Sequence, residues 1–174
     1  MFSLSGSKQS SNDNNTADDA DCKKYVKFTG WIGKLVIRGS ANPTDRDLQA
    51  LRAEGFTIAV SLLVESKQPP RCDKQSALTA GWTIYSIPIE EGAAPSLEQI
   101  REFMNLLKTL PDETKVLVFC ESGQGRTAFM GAAYWVNKGL SANDAIVRMS
   151  EARSPIRVRS LILLFSLLFH VFES

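Results

Sequence analysis

A chain of 174 residues, 44% of them hydrophobic and 22% charged, has the size and balance of one globular domain. Its 20 basic and 19 acidic residues leave a net charge of +1, which argues against a nucleic-acid binder working through a broad basic surface. A single histidine, His170, and three widely spaced cysteines, Cys22, Cys72 and Cys120, argue against a Ser-His-Asp or Cys-His hydrolase, a metal centre and a disulfide framework, and fit a reducing cytoplasm.

Residues 1–22 are rich in Ser, Asn and Asp and have no apolar core segment, so a secretory leader is not expected and a disordered tail is. Lys8 against Asp13, Asp18, Asp19 and Asp21 makes this tail negative and leaves residues 23–174, the expected domain, mildly positive. Tyr25–Phe28 and Leu35–Ile37 read as a hairpin around Gly30 and Gly33. Thr44 and Asp47 form a capping-box pattern for a helix carrying Leu48 and Leu51 and ending at Gly55. Phe56–Val64 is a continuous apolar run of strand length. A loop follows, then a short helix from Lys74 to Ala80 and a strand over Trp82–Ile89. Ser96 caps a helix with Leu97, Ile100, Phe103, Met104 and Leu107 at helical spacing, and Pro111 closes it. Val116–Phe119 is a short buried strand, Thr127–Lys138 an apolar helix, and Ser141 with Asp144 caps another helix running to about Ala152. Strands alternating with helices predict an α/β domain, a central mostly parallel sheet flanked by helices.

The chemistry concentrates in Val116–Thr127, where a buried strand enters a Gly-containing loop and a helix leaves it. This arrangement gathers backbone N–H groups and a positive helix end around one concavity, which suits a phosphate. Cys120 opens the loop, and amide dipoles, the helix end and a guanidinium all favour its thiolate, the nucleophilic form. Arg126 closes the loop and can grip two phosphoryl oxygens at once, which Lys cannot. Two weaker readings stand beside this one. Gly123, Gly125 and Ala128 also fit a GxGxxA dinucleotide fingerprint with Asp144 as the ribose acid, but that requires a strand after the helix. Cys120 could also be a small buried hydrophobe, which leaves Arg126 at a helix start without an anion.

CESGQGRT, residues 120–127, carries the Cys-x5-Arg-Thr pattern and resembles the signature loop of cysteine-dependent protein phosphatases, most closely the small atypical dual-specificity phosphatases. Three further segments extend the resemblance over roughly residues 25–160: RGSANPTDRDLQALRAEGFTIAVSLL, IPIEEGAAPSLEQI and GLSANDAIVRM. The resemblance implies a protein tyrosine phosphatase-like fold and a metal-free, cofactor-free hydrolysis of phosphorylated proteins through a phosphocysteine on Cys120. Arg126 and the amides of Glu121, Ser122, Gly123, Gln124 and Gly125 would hold the phosphoryl oxygens, and Thr127 would hydrogen-bond the departing thiolate. The general acid falls at Glu91, where the family usually has Asp, with Glu90 the neighbouring alternative. Phe119 stands where the family usually has His before the nucleophile, and the late Gln that positions water in relatives is missing.

The same resemblance admits a phosphoinositide phosphatase, an RNA 5′-phosphatase or a phosphate-binding scaffold with little turnover. Glu121 inside the loop disfavours the multiply charged lipid head group, and the low net charge gives RNA no support. Cys72 could pair with Cys120 as in some relatives, but an unrelated loop cysteine is the simpler reading. Trp31, Trp82 and Trp135 read as packing residues, Arg38 and His170 as non-catalytic and Asp144 as a cap. The apolar stretch Leu161–Phe172 is too short to span a membrane and is expected to pack on the sheet as a terminal helix. Dimerisation or peripheral membrane contact through this helix, with Arg153, Arg157 and Arg159 before it, is the competing expectation.

Overall fold

The computed structural model describes residues 25–27 and 35–152, with side chains over 35–150. The expected tail, Cys22, Trp31, Arg153, Arg157, Arg159, Leu161–Phe172 and His170 lie outside the described residues. Among those described, no helix is long and apolar enough to cross a membrane.

Five strands form one sheet: β1 (Tyr25–Lys27), β2 (Val36–Ser40), β3 (Phe56–Ser61), β4 (Thr83–Ser86) and β5 (Lys115–Phe119). Their order is β1-β2-β5-β3-β4. The expected hairpin pairs β1 antiparallel to β2, and every other pairing is parallel. Helices α1 (Asp45–Ala53) and α2 (Lys74–Thr79) contribute Leu48, Leu51 and Ala77 to one core. Helices α3 (Leu97–Thr109), α4 (Arg126–Asn137) and α5 (Ala142–Ala152) fill the other. The sheet is thus the middle layer of three, as the alternation of strands and helices predicts.

The alternating side chains of central strand β5 divide these cores. Val116, Val118 and Cys120 face the α3–α5 side, whereas Leu117 and Phe119 face the α1–α2 side. Phe119 therefore packs away from Cys120, among Leu48, Leu51 and Trp82, where an apolar ring is well accommodated. Ala128, Gly131, Ala132 and Ala133 are all buried in α4, and their small size lets the helix lie close against the sheet.

The predicted caps are in place. The backbone N–H of Thr44 donates to Asp47 Oδ2 at 2.7 Å, and that of Asp47 returns to Thr44 Oγ1 at 3.4 Å. Ser96 and Gln99 make the same reciprocal pair at the start of α3. Asp144 donates its N–H to Ser141 Oγ at 3.1 Å and its Oδ2 accepts from that hydroxyl at 2.7 Å, so Ser141 is the cap and Asp144 its partner. Helix α5, not a strand, follows α4, which removes the dinucleotide reading of Gly123, Gly125 and Ala128.

Two strands stop short of expectation. Pairing ends at Ser61 rather than Val64 in β3, and at Ser86 rather than Ile89 in β4. Pro88 has no N–H for the ladder. Just beyond the two strand ends, Leu62 O accepts both Ile89 N–H and Arg126 Nη1 at 3.2 Å, and Ile89 O accepts Arg126 Nη1 at 2.8 Å.

Candidate active site

The C-terminal ends of four parallel strands meet at one edge of the sheet, the usual place for a site in an open α/β fold. After β2 comes Asn42, after β3 Gln68, after β4 Glu91, and after β5 the loop Cys120–Gly125. Cys120 is 1% exposed and lies at the floor of that loop. The N–H of Gly123 donates to its Sγ at 3.2 Å. Helix α4 starts at the far end of the loop with Gly125 as its N-cap and no side-chain cap, so its positive end stays directed at the loop.

Close packing against β2 sets the loop shape. Gly123 has φ +69, and a Cβ there would lie 2.6 Å from the carbonyl carbon of Ser40 and 2.7 Å from Ala41 N. No other residue fits this position without moving the backbone. Cys120 N also donates to Ser40 O at 3.4 Å, so strand β2 backs both Cys120 and the glycine.

Arg126 is 5% exposed, and its charge is met by fixed acceptors. Nη1 donates to Ile89 O at 2.8 Å and to Leu62 O at 3.2 Å, and Nη2 donates to Gln68 Oε1 at 2.7 Å. A guanidinium has five N–H donors, so Nε–H and one Nη2 hydrogen remain without a partner among the described residues. These two groups can hold two oxygens of one phosphoryl group.

The two acidic candidates differ in surroundings. Both oxygens of Glu90 receive Lys67 Nζ at 2.9 Å, in an exposed ion pair. Glu91 Oε2 instead accepts from Gln68 Nε2 at 2.8 Å and is linked through that amide to Arg126. Thr127 is fully buried, and its Oγ1 makes no hydrogen bond to Cys120 Sγ or to any other described group. Glu121 is exposed, with its carboxylate turned toward Asn42. Ser122 Oγ accepts from Gln124 N at 3.4 Å.

Two positions not singled out in the sequence tie the site together. Asn42 is 1% exposed and uses its whole amide. Nδ2 donates to Pro69 O at 3.1 Å and to Glu121 Oε2 at 3.0 Å, and Oδ1 accepts from Arg71 N at 3.2 Å. Its backbone N–H donates to Glu121 O. Gln68 is the second. Each precedes proline, Asn42-Pro43 just beyond β2 and Gln68-Pro69-Pro70 in the loop after β3, and that local stiffness was the available signal.

Other candidates fall away from the site. Cys72 and Cys120 are both free and belong to cores on opposite faces of the sheet. Burial and the nearby Asp45 carboxylate push the Cys72 thiol upward, as suits an inert core residue. Arg38 lies within β2, pairs with Glu54 at 2.7 Å and stacks over Phe56, so it does not border the pocket. Trp82 and Trp135 are core residues.

Comparison with known proteins bears on the family and the fold. The family model described as "Tc-R-P: Polymorphic toxin system, DSP-PTPase phosphatase" matches residues 33–140. The tyrosine-protein phosphatase CDC14 homolog of Schizosaccharomyces pombe is 30% identical over 106 residues. That match covers 56% of this chain and 20% of the relative, so the chain spans about a fifth of the relative's length. Among solved structures, Tk-PTP in its active form superimposes with a TM-score of 0.65 at 24% identity, covering 83% of this chain and 95% of that one. PTPMT1 in complex with PI(5)P superimposes with a TM-score of 0.66 at 19% identity, covering 79% and 92%. At such identities the solved structures speak for the fold, and the match over residues 33–140 speaks for the family. The chain belongs to the DSP-PTPase phosphatase family of polymorphic toxin systems, a family of cysteine-dependent dual-specificity phosphatases.

Proposed function

We propose that this protein hydrolyses phosphate monoesters on proteins, phosphotyrosine first and phosphoserine or phosphothreonine with it, through a phosphocysteine on Cys120. The observation that carries the reading is the buried Cys120 Sγ, receiving a loop N–H, beside a fixed Arg126 with two N–H groups still to give.

In the first step the Cys120 thiolate attacks phosphorus in line with the leaving oxygen. The S–P bond forms, the P–O bond breaks, and the leaving oxygen takes the electron pair and a proton from Glu91. Arg126 and the loop amides hold the equatorial oxygens as charge redistributes over them. In the second step water attacks phosphorus, Glu91 takes its proton, and the S–P bond breaks to return the thiolate and release inorganic phosphate. Thr127 Oγ1, buried and without a partner among the described residues, would have to turn its O–H toward that returning thiolate to stabilise it.

Glu121 puts a carboxylate at the loop and disfavours a multiply phosphorylated lipid head group. A thiol nucleophile works in a reducing compartment, so we place the activity in a cytoplasm. Hydrolysis of an aryl phosphate and a phosphotyrosine peptide by wild type and Cys120→Ser tests the reading. Turnover by wild type through a phosphoenzyme trapped on Cys120 by rapid denaturation, and no turnover by Cys120→Ser, is the expected result. A Cys120→Ser protein that still turns over would sink it.

A further inference from the structure

We propose that Gln68 is a positioning residue that joins the acid-bearing loop to Arg126 and fixes which oxygen of Glu91 meets the leaving group. This inference rests on the reading of Cys120 as nucleophile and Glu91 as acid, and adds a residue to it.

The chemistry of the partners sets the orientation of the Gln68 amide. Arg126 can only donate, so the amide oxygen must face Nη2, which it does at 2.7 Å. The NH2 group then faces outward and donates to Glu91 Oε2 at 2.8 Å. A flipped amide would set N–H against N–H at one end and oxygen against oxygen at the other. The side chain also springs from a stiff loop. Gln68 N–H donates to Val64 O at 2.9 Å. Pro69 and Pro70 follow, and Pro69 O is held by Asn42 Nδ2 at 3.1 Å.

A neutral amide suits the place between Arg126 and Glu91. A guanidinium bonded directly to a carboxyl group favours its ionised form, which is the wrong form for an acid that must arrive protonated. Gln68 aligns the carboxyl without laying that charge against it. Oε2 accepts the Gln68 N–H in either protonation state. Oε1, with no hydrogen-bond partner among the described residues, is left to carry the proton to the leaving oxygen and to receive one from water. In Glu90, by contrast, both oxygens are engaged by Lys67.

The test compares Gln68→Met, Gln68→Glu, Glu91→Gln and the Gln68→Met/Glu91→Gln double variant on a series of alkyl and aryl phosphates, with the Tm of each recorded. Gln68→Met keeps the length and removes the polar links. It should lower kcat by about 10–100-fold on alkyl phosphates, as misaligned groups do, and much less on activated aryl phosphates. KM should hardly change. In the Glu91→Gln background the same substitution should add no further loss, because the group it aligns is already gone. Gln68→Glu sets a like charge beside Glu91 and should move the basic limb of the pH–rate profile to higher pH. This readout decides the matter if Gln68→Met does not fold. An equal loss on all leaving groups, a multiplicative loss in the double variant, or an unmoved limb in Gln68→Glu overturns the proposal. A wild type without turnover, or an active Cys120→Ser, overturns the reading of the site itself and the proposal with it.

Discussion

Gly123 shows how narrowly a single position can be specified. It adopts φ +69, touches the backbone of Ser40 and Ala41, and gives its N–H to Cys120 Sγ. Gly123→Ala adds a methyl group where backbone atoms lie under 3 Å away, so the loop must move. The N–H to sulfur bond and the cradle shape are then lost together. We expect kcat/KM on an aryl phosphate to fall by at least about 10²-fold, with a stability cost of about 1–3 kcal/mol from the strained backbone. Steady-state kinetics and thermal denaturation of the variant check both numbers. Glu91 and Glu90 give the second residue-scale prediction. Glu91→Gln should lower kcat by about 10²–10⁴-fold on alkyl phosphates, the range for loss of a general acid, and far less on a leaving group of low pKa. Its basic limb should flatten. Glu90→Gln breaks only an exposed ion pair with Lys67 and should be nearly silent. A reversed pattern, Glu90 sensitive and Glu91 not, would assign the acid to the other residue.

The helices obey rules that are visible in the sequence. Capping pairs at Thr44/Asp47, Ser96/Gln99 and Ser141/Asp144 mark three helix starts because a short polar side chain and a partner three residues on satisfy the first free N–H groups. Asp73 caps α2 in a simpler way, accepting Ser76 N at 2.7 Å. The bonds from Ser76 hold its carboxyl below the usual aspartate range. A folded value below the unfolded one means that the stabilisation is present above the ordinary aspartate pKa of about 3.9 and is lost as pH falls through the folded value. Asp73→Ala should therefore be less stable than wild type near neutral pH, and the gap should narrow below about pH 4. Urea titrations at several pH values measure it, and a gap independent of pH would show that the carboxylate is not the capping form. Strand ends and loop partners were less legible. Phe56–Val64 and Trp82–Ile89 look like strands to their last apolar residue, because side-chain pattern does not reveal where a carbonyl points. Leu62 and Ile89 turn theirs to Arg126, a residue far along the chain. For the same reason Cys120 and Arg126 could be picked from one contiguous loop. Asn42 and Gln68 could not, since their partners lie in loops and at a helix start distant in the chain.

At the scale of the molecule, the site exists only when four distant segments are brought together. Residues near Ser40–Asn42, Leu62–Gln68, Ile89–Glu91 and Cys120–Arg126 are neighbours only in the folded sheet. An oxyanion held by this assembly binds the native state and not the unfolded chain, so binding must raise stability. At one hundred times its Kd, a ligand that binds only the native state contributes about 2.7 kcal/mol. For a chain of this size each kcal/mol moves Tm by about 2–4 °C, so a shift of about 5–10 °C is expected with vanadate or inorganic phosphate at saturation. Cys120→Ser should keep most of the shift with inorganic phosphate, because the amides and Arg126 remain and only the thiol is gone. Arg126→Lys should lose it, since an ammonium cannot bond Leu62, Ile89 and Gln68 and still offer two N–H groups to one anion. Differential scanning fluorimetry over a range of anion concentrations separates these cases. A full shift in Arg126→Lys would mean that the anion is held elsewhere and that the loop is not its cradle, whereas none in Cys120→Ser would mean that the sulfur itself, and not only the amides and Arg126, holds the anion.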